Sequence, residues 1–293
     1  MADGSMLVAV LKRDRIVVIA ALVTVIVLAW TYLLAGAGMG MSPLEMNATT
    51  SPRAGMATTD GDMSGMATDN ATSDAMQDLA MAAMAPVAWT PGYAVLMFFM
   101  WWIMMMAMML PSAAPLILLF AMINRKQREK DAPYVPTGIF AAGYLLVWGA
   151  FSLVAVSAQW GLERSGLLSS MMVSTSALLG AGLLIAAGAY QLTPLKHACL
   201  RHCRSPLFFI SHHWRPGNLG ALRMGVEHGA FCTGCCWFLM ALLFYGGIMN
   251  LYWIVGLALF VLLEKTLRGG QRLGRITGGL LIAWGAALIL AAT

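Results

Sequence analysis

The sequence predicts an all-α protein: a polytopic transmembrane helical bundle of about seven helices with its N-terminus inside. Three observations predict it. Of 293 residues, 60% are hydrophobic and 11% charged, and the mean hydropathy is +0.75. That leaves too little polar surface for a water-soluble globule. The apolar residues gather into stretches that suit a bilayer core of about 30 Å, which takes roughly 20 residues of helix because backbone polar groups must be satisfied within the segment. Finally, Lys and Arg divide unevenly between the two sets of connecting segments, as retention of basic residues on the cytoplasmic side requires.

Seven stretches are expected to span: 16–38, 94–122, 137–159, 173–193, 220–247, 250–267 and 274–292. The first follows a charged LKRDR start, but its apolar run from Ile16 exceeds the roughly 7–15 residues of a signal-peptide core and reads as a retained anchor. With the N-terminus inside, the inside segments hold Lys12, Arg13, Arg15, Arg125, Lys126, Arg128, Lys130, Lys196, Arg201, Arg204, Arg215, Arg223, Lys265, Arg268, Arg272 and Arg275. Those are 16 of the 18 basic residues, leaving Arg53 and Arg164 outside. The net charge of +5 is accounted for by inside loops facing anionic lipid and requires no nucleic-acid partner. The chain thus divides into a tail and first membrane helix (1–38), an extracytoplasmic arm (39–90) and a six-helix membrane domain (91–293).

The arm changes character to Gly, Ser, Thr, Ala, Asp and Met, with too little apolar bulk to fold by itself, and is expected to be disordered. It is acidic: Glu45, Asp60, Asp62, Asp69, Asp74 and Asp78 against Arg53. It also carries Met39, Met41, Met46, Met56, Met63, Met66, Met76, Met81 and Met84. Thioethers select Cu(I) and form no disulfides in an oxidising compartment, so clusters such as GDMSGM read as weak capture sites on a tether.

In the second span, MFFMWWIMMMAMMLPSAAP, the residues Met97, Met100, Met104 and Met108 fall within an arc of roughly 80° at about 100° per residue, with Met105 and Met109 beside them. Met106 lies in the same run. Such a stripe serves core packing or a ligand track. Pro111 and Pro115 should kink the helix just past it.

The fifth span carries HGAFCTGCCW. Met224, His228, Cys232 and Cys235, spaced four, four and three, share one face, with Cys236 adjacent. A buried Cys alone is a small hydrophobe, and a lone His is usually a hydrogen-bonded core residue. Three thiols and an imidazole gathered within nine residues of a membrane helix instead suggest a metal site. Without carboxylate or carbonyl oxygens, the donor set favours Cu(I), with zinc second. The helical rise places Cys232 to Cys236 and Met104 to Met109 at similar depth near the bilayer midplane.

A third cluster, KHACLRHCRSP, follows the fourth span on an inside loop. Cys199 and Cys203, four apart, would face one side of a helical turn near His197 and His202, as a second metal site or as ordinary reduced cysteines. His212 and His213 in SHHWRP are a weaker cue. Glu227 reads as an i, i+4 partner of Arg223, and Glu264 likewise of Arg268.

MWWIMMMAMMLPSAAP, KHACLRHCRSP, NLGALRMGVEHGAFCTGCCWFLM and GIMNLYWIVGLALFVLLEK together resemble the bacterial predicted metal-binding integral membrane proteins. That family includes the membrane copper-supply partner of a polyphenol oxidase (tyrosinase). The resemblance covers about 92–292 and implies a copper-handling role at the bacterial inner membrane, carried onto Met104, Met105, Met108, Met109, His228, Cys232, Cys235 and Cys236. Met100, Cys199 and Cys203 join the candidate ligands on spacing. The expected function is a Cu(I)-binding chaperone or transporter, partnered by membrane lipid, the metal ion, and a client copper enzyme or soluble copper carrier. No P-loop is recognisable, and no enzymatic activity is expected. The rival reading is a membrane thiol-disulfide oxidoreductase using Cys232, Cys235 and Cys236.

Overall fold

The computed structural model describes residues 3–37, 88–128, 136–169, 172 and 174–292. The expectations for the arm at 39–90, and for its nine methionines, lie outside the described residues save for 88–90. Among the described residues the regular structure is helical, apart from a single bridge between Leu168 and Ser174.

The chain forms α1 (Asp3–Leu34), α2 (Pro91–Arg128), α3 (Thr137–Arg164), α4 (Ala177–Leu192), α5 (Pro194–Arg204), α6 (Pro206–His213), α7 (Gly217–Ala241), α8 (Leu243–Gly246), α9 (Leu251–Thr266) and α10 (Gly270–Ala292). Among the described residues, five stretches are long and apolar enough to cross a membrane: Ile16–Leu34, Pro91–Arg125, Thr137–Arg164, Gly217–Gly246 and Gly270–Ala291. The expected spans at 173–193 and 250–267 are each realised as helices of 16 residues. At 1.5 Å per residue such a helix falls short of a bilayer core of about 30 Å. The helix within 173–193, α4, continues after a 66° bend into α5, and the bent pair would make a sixth crossing. Pro194 accounts for the bend, because it forces Thr193 into an extended conformation with ψ 146°. Thr193 then caps α5, its side chain accepting from the Lys196 amide at 3.3 Å.

Two close helix pairs frame the core. α3 and α7 meet where Gly143 faces Gly225: a Cβ at Gly143 would sit 2.3 Å from the Leu222 carbonyl oxygen, and one at Gly225 would sit 2.1 Å from that of Phe140. Only hydrogen lets the two backbones approach this closely, the usual device for packing helices in lipid. α4 and α10 meet in the same way, Gly188 against the Gly278 carbonyl. The remaining core is filled from α2, which packs against α1, α3, α6 and α9.

Candidate metal centre

The sulfur face expected on α7 exists. Met224, His228, Cys232, Cys235 and Cys236 are all buried, held inward because α7 is pressed along α3 on its glycine side. On α2, Met97, Met100, Met104, Met105, Met108 and Met109 are buried as well. The two elements touch where Cys236 Sγ lies 3.9 Å from Met109 Sδ. Met100, Met104, Met105 and Met108 belong to the packed core, while Met97 accepts from Gln159 Nε2 at 3.6 Å.

The two cysteine groups that the sequence separates are brought together. α5 folds back along α7, and buried Cys203 lies near enough to Cys232 and Cys235 to interact with both thiols. Cys199, one turn earlier and only half-buried, reaches the same helix opposite Gly234, where an added Cβ would lie 3.0 Å from its sulfur. All five cysteines are free thiols. Both ring nitrogens of His197 are buried without a hydrogen-bond partner among the described residues, and His202 stacks on Phe231 at 4.0 Å and 2°. His213 stacks on Phe209, and His212 Nδ1 lies 3.0 Å from the Phe208 carbonyl in its own short helix, to which it can only donate.

A charged group that the sequence reading did not include completes the cluster. Lys265 on α9 is buried, with its ammonium 3.0 Å from Cys232 Sγ and 3.0 Å from Ser112 Oγ. Tyr144 Oη lies 3.2 Å from the same sulfur. The tyrosine hydroxyl also lies 3.4 Å from the Met109 carbonyl, to which Ser112 donates at 2.9 Å. That turn of α2 contains Pro111, and the helix runs through both prolines to Arg128. A buried ammonium needs strong acceptors, and these two supply them.

Glu264, the neighbour of Lys265, corrects the expected pairing with Arg268. It is 1% exposed and bound to Lys196, whose Nζ lies 2.7 Å from one carboxylate oxygen and 2.9 Å from the other. α9 enters the core instead of ending at its surface, so both 264 and 265 face inward. The Glu227 pairing is as expected, with Arg223 at 3.2 Å, and is joined by Arg215 at 3.1 Å.

The arrangement is a set of donors held apart by hydrogen bonds. The thiols of Cys235 and Cys236 both donate to the Cys232 carbonyl at 3.0 Å. Among the described residues, no three His, Cys, Asp or Glu side chains are drawn together into a formed metal-binding group. The chemistry of the set nevertheless fits a soft, low-coordinate cation. It offers four buried thiols and a thioether, and His228 Nδ1 is buried without a hydrogen-bond partner among the described residues. Stacking near Tyr144 and Phe140 fixes the imidazole ring.

Tyr144 and Ser112 were legible only as members of apolar runs, and Lys265 only as one of the basic residues of the inside segments. A lysine closing WIVGLALFVLLEK is nevertheless a signal, because an ammonium inside such a run is costly and tends to face a functional interior.

Fold and site together define a class: an all-helical protein, with helices apolar enough to cross a membrane, enclosing a buried sulfur cluster. The family model PpoB2, described as a copper chaperone, matches residues 98–288. The chain belongs to this copper chaperone family. No curated protein matches the chain, and neither does any solved structure.

Proposed function

We propose that this protein is a multi-pass protein of the bacterial inner membrane that holds Cu(I) at the thiols of Cys203, Cys232, Cys235 and Cys236, with Met109 and His228 beside them, and delivers it to a client copper enzyme. The observation that carries the reading is that α5 lays buried Cys203 beside Cys232 and Cys235 on α7, where Cys236 in turn meets the Met109 thioether of α2. Thiolate, thioether and imidazole without carboxylate suit copper in its monovalent state better than zinc or hard cations. Loading requires the Cys235 and Cys236 thiols to leave the Cys232 carbonyl and turn toward the ion.

The methionine-rich arm at 39–90 collects copper outside, and Met100, Met104, Met105 and Met108 line the descent from that side. Cys199, half-buried on α5, is the thiol through which a soluble carrier exchanges metal on the other side. The uneven distribution of Lys and Arg supports an inside N-terminus. Neither the family description nor the site geometry supports the rival thiol oxidoreductase reading. Anaerobic titration of the detergent-purified chain with Cu(I) against a chromophoric chelator tests the proposal. Stoichiometric capture by the wild type, lost when the four buried cysteines become Ser, is expected; undiminished capture by that variant overturns the site.

A further inference from the structure

At the end of the bundle where α5 stops and α9 turns into α10, a cleft of about 510 Å³ is lined by Arg201, His202, Arg204, Ser205, Phe208 and Gln271. Among the described residues no carboxylate pairs with its arginines. The three carboxylates whose side chains are described are engaged elsewhere: Glu163 with Trp89 and Gln159, Glu227 with Arg215 and Arg223, and Glu264 with Lys196. Arg204 is held in place, its Nη2 donating to the carbonyls of Leu267 at 2.5 Å and Arg268 at 3.0 Å. Its Nη1 is buried with no hydrogen-bond partner among the described residues. Carbonyl dipoles fix a guanidinium without neutralising it.

Two helix starts open at the same place. Ser205 precedes α6 with its hydroxyl making no capping bond, and Gln271 is the second residue of α10. Pro206 has no N–H, and the amides of Phe209, Gly270, Arg272 and Leu273 are taken by the Ser205, Leu267 and Gly269 carbonyls, which leaves those of Leu207, Phe208 and Gln271 at the positive dipole ends. Phe208, 46% exposed, forms an apolar wall to the cleft.

We propose that this cleft binds an anionic phosphate ester. Two guanidiniums three residues apart, with amide donors from two helix starts, match a group whose several oxygens can be shared among them; a lone carboxylate would leave donors idle. An anionic phospholipid headgroup and a soluble phosphate ester present the same chemistry. The ligand clamps α5 to the α9–α10 turn, and so fixes the segments that carry Cys203 and Lys265. The proposal stands whether or not the sulfur cluster binds copper.

The test uses the purified full-length chain in a zwitterionic detergent, with adducts read by native mass spectrometry. Dioctanoyl phosphatidylglycerol, dioctanoylglycerol and glycerol 3-phosphate serve as probes. Saturable binding of the phosphatidylglycerol is expected. It should weaken about tenfold, or about 1.4 kcal/mol, in Arg201→Gln, which alters an exposed side chain, and remain unchanged in Arg272→Gln, outside the cleft. Weak displacement by glycerol 3-phosphate supports a lipid headgroup as the occupant; displacement at equal concentration supports a soluble phosphate ester at the same site. Equal binding of dioctanoylglycerol, or no loss in Arg201→Gln, overturns the proposal.

Discussion

Lys265 of α9 and Cys232 of α7 place an ammonium 3.0 Å from a sulfur, with no carboxylate paired to that ammonium among the described residues. The pair is coupled, with Ser112 as the ammonium's second acceptor and Tyr144 as the sulfur's second partner. Breaking such a buried pair by removing one partner costs about 3–5 kcal/mol, while removing both costs less. Cys232→Ala should destabilise the protein strongly, because Ser112 alone then accepts from the ammonium. Lys265→Met in the same chain should restore much of the loss. Thermal unfolding in detergent of the two single variants and the double variant checks this, and additive losses would contradict it.

The Lys196–Glu264 pair, buried on both sides, makes an independent case. Lys196→Met leaves a carboxylate in the core and should cost about 3–5 kcal/mol, whereas Lys196→Met with Glu264→Leu should lie near the wild type. Unfolding midpoints of the same detergent-solubilised proteins measure the difference.

Close backbone contact at Gly225 yields a third expectation. A methyl group there meets the Phe140 carbonyl at 2.1 Å, so Gly225→Ala must force α3 and α7 apart. A loss of about 1–3 kcal/mol is expected from such overpacking. Gly182→Ala is the control, since an added Cβ there meets nothing within 4 Å. Equal stability of the two variants would show that the crossing is looser than described.

The two cysteines of α5 should separate in their effect on metal. Cys203 is buried near Cys232 and Cys235, and Cys199 stands half-buried beside Gly234. Cys203→Ser should weaken Cu(I) binding at equilibrium by about tenfold or more, and Cys199→Ser should affect the rate of transfer to a soluble thiol carrier more than the affinity. Competition with a chelator and stopped-flow transfer read the two quantities separately.

Much of the architecture was legible in the sequence because helical spans announce themselves by length and apolarity. The soft donors of α7 were equally plain, since spacings of four, four and three leave no choice of face. What the sequence concealed was tertiary. The bend at Thr193 and Pro194 turns an expected loop cluster back onto α7, and periodicity cannot show that Cys203 meets Cys232. Glu264 and Arg268 sit at a spacing that suits a surface pair, yet the path of α9 carries the acid inward to Lys196. Lys265 looked like a residue marking the end of a span, and its role emerges only once α2 and α7 stand on either side of it.

The central claim is that four thiols from two helices hold a single soft cation. Its most direct test is the metal content of the protein purified from copper-supplemented cells, compared with the Cys203→Ser, Cys232→Ser, Cys235→Ser and Cys236→Ser quadruple variant, with X-ray absorption at the copper edge. Copper present in the wild type with a sulfur-dominated first shell, and absent from a variant that still folds, is the predicted result. Equal copper in both proteins, or a shell of oxygen and nitrogen alone, would contradict the account.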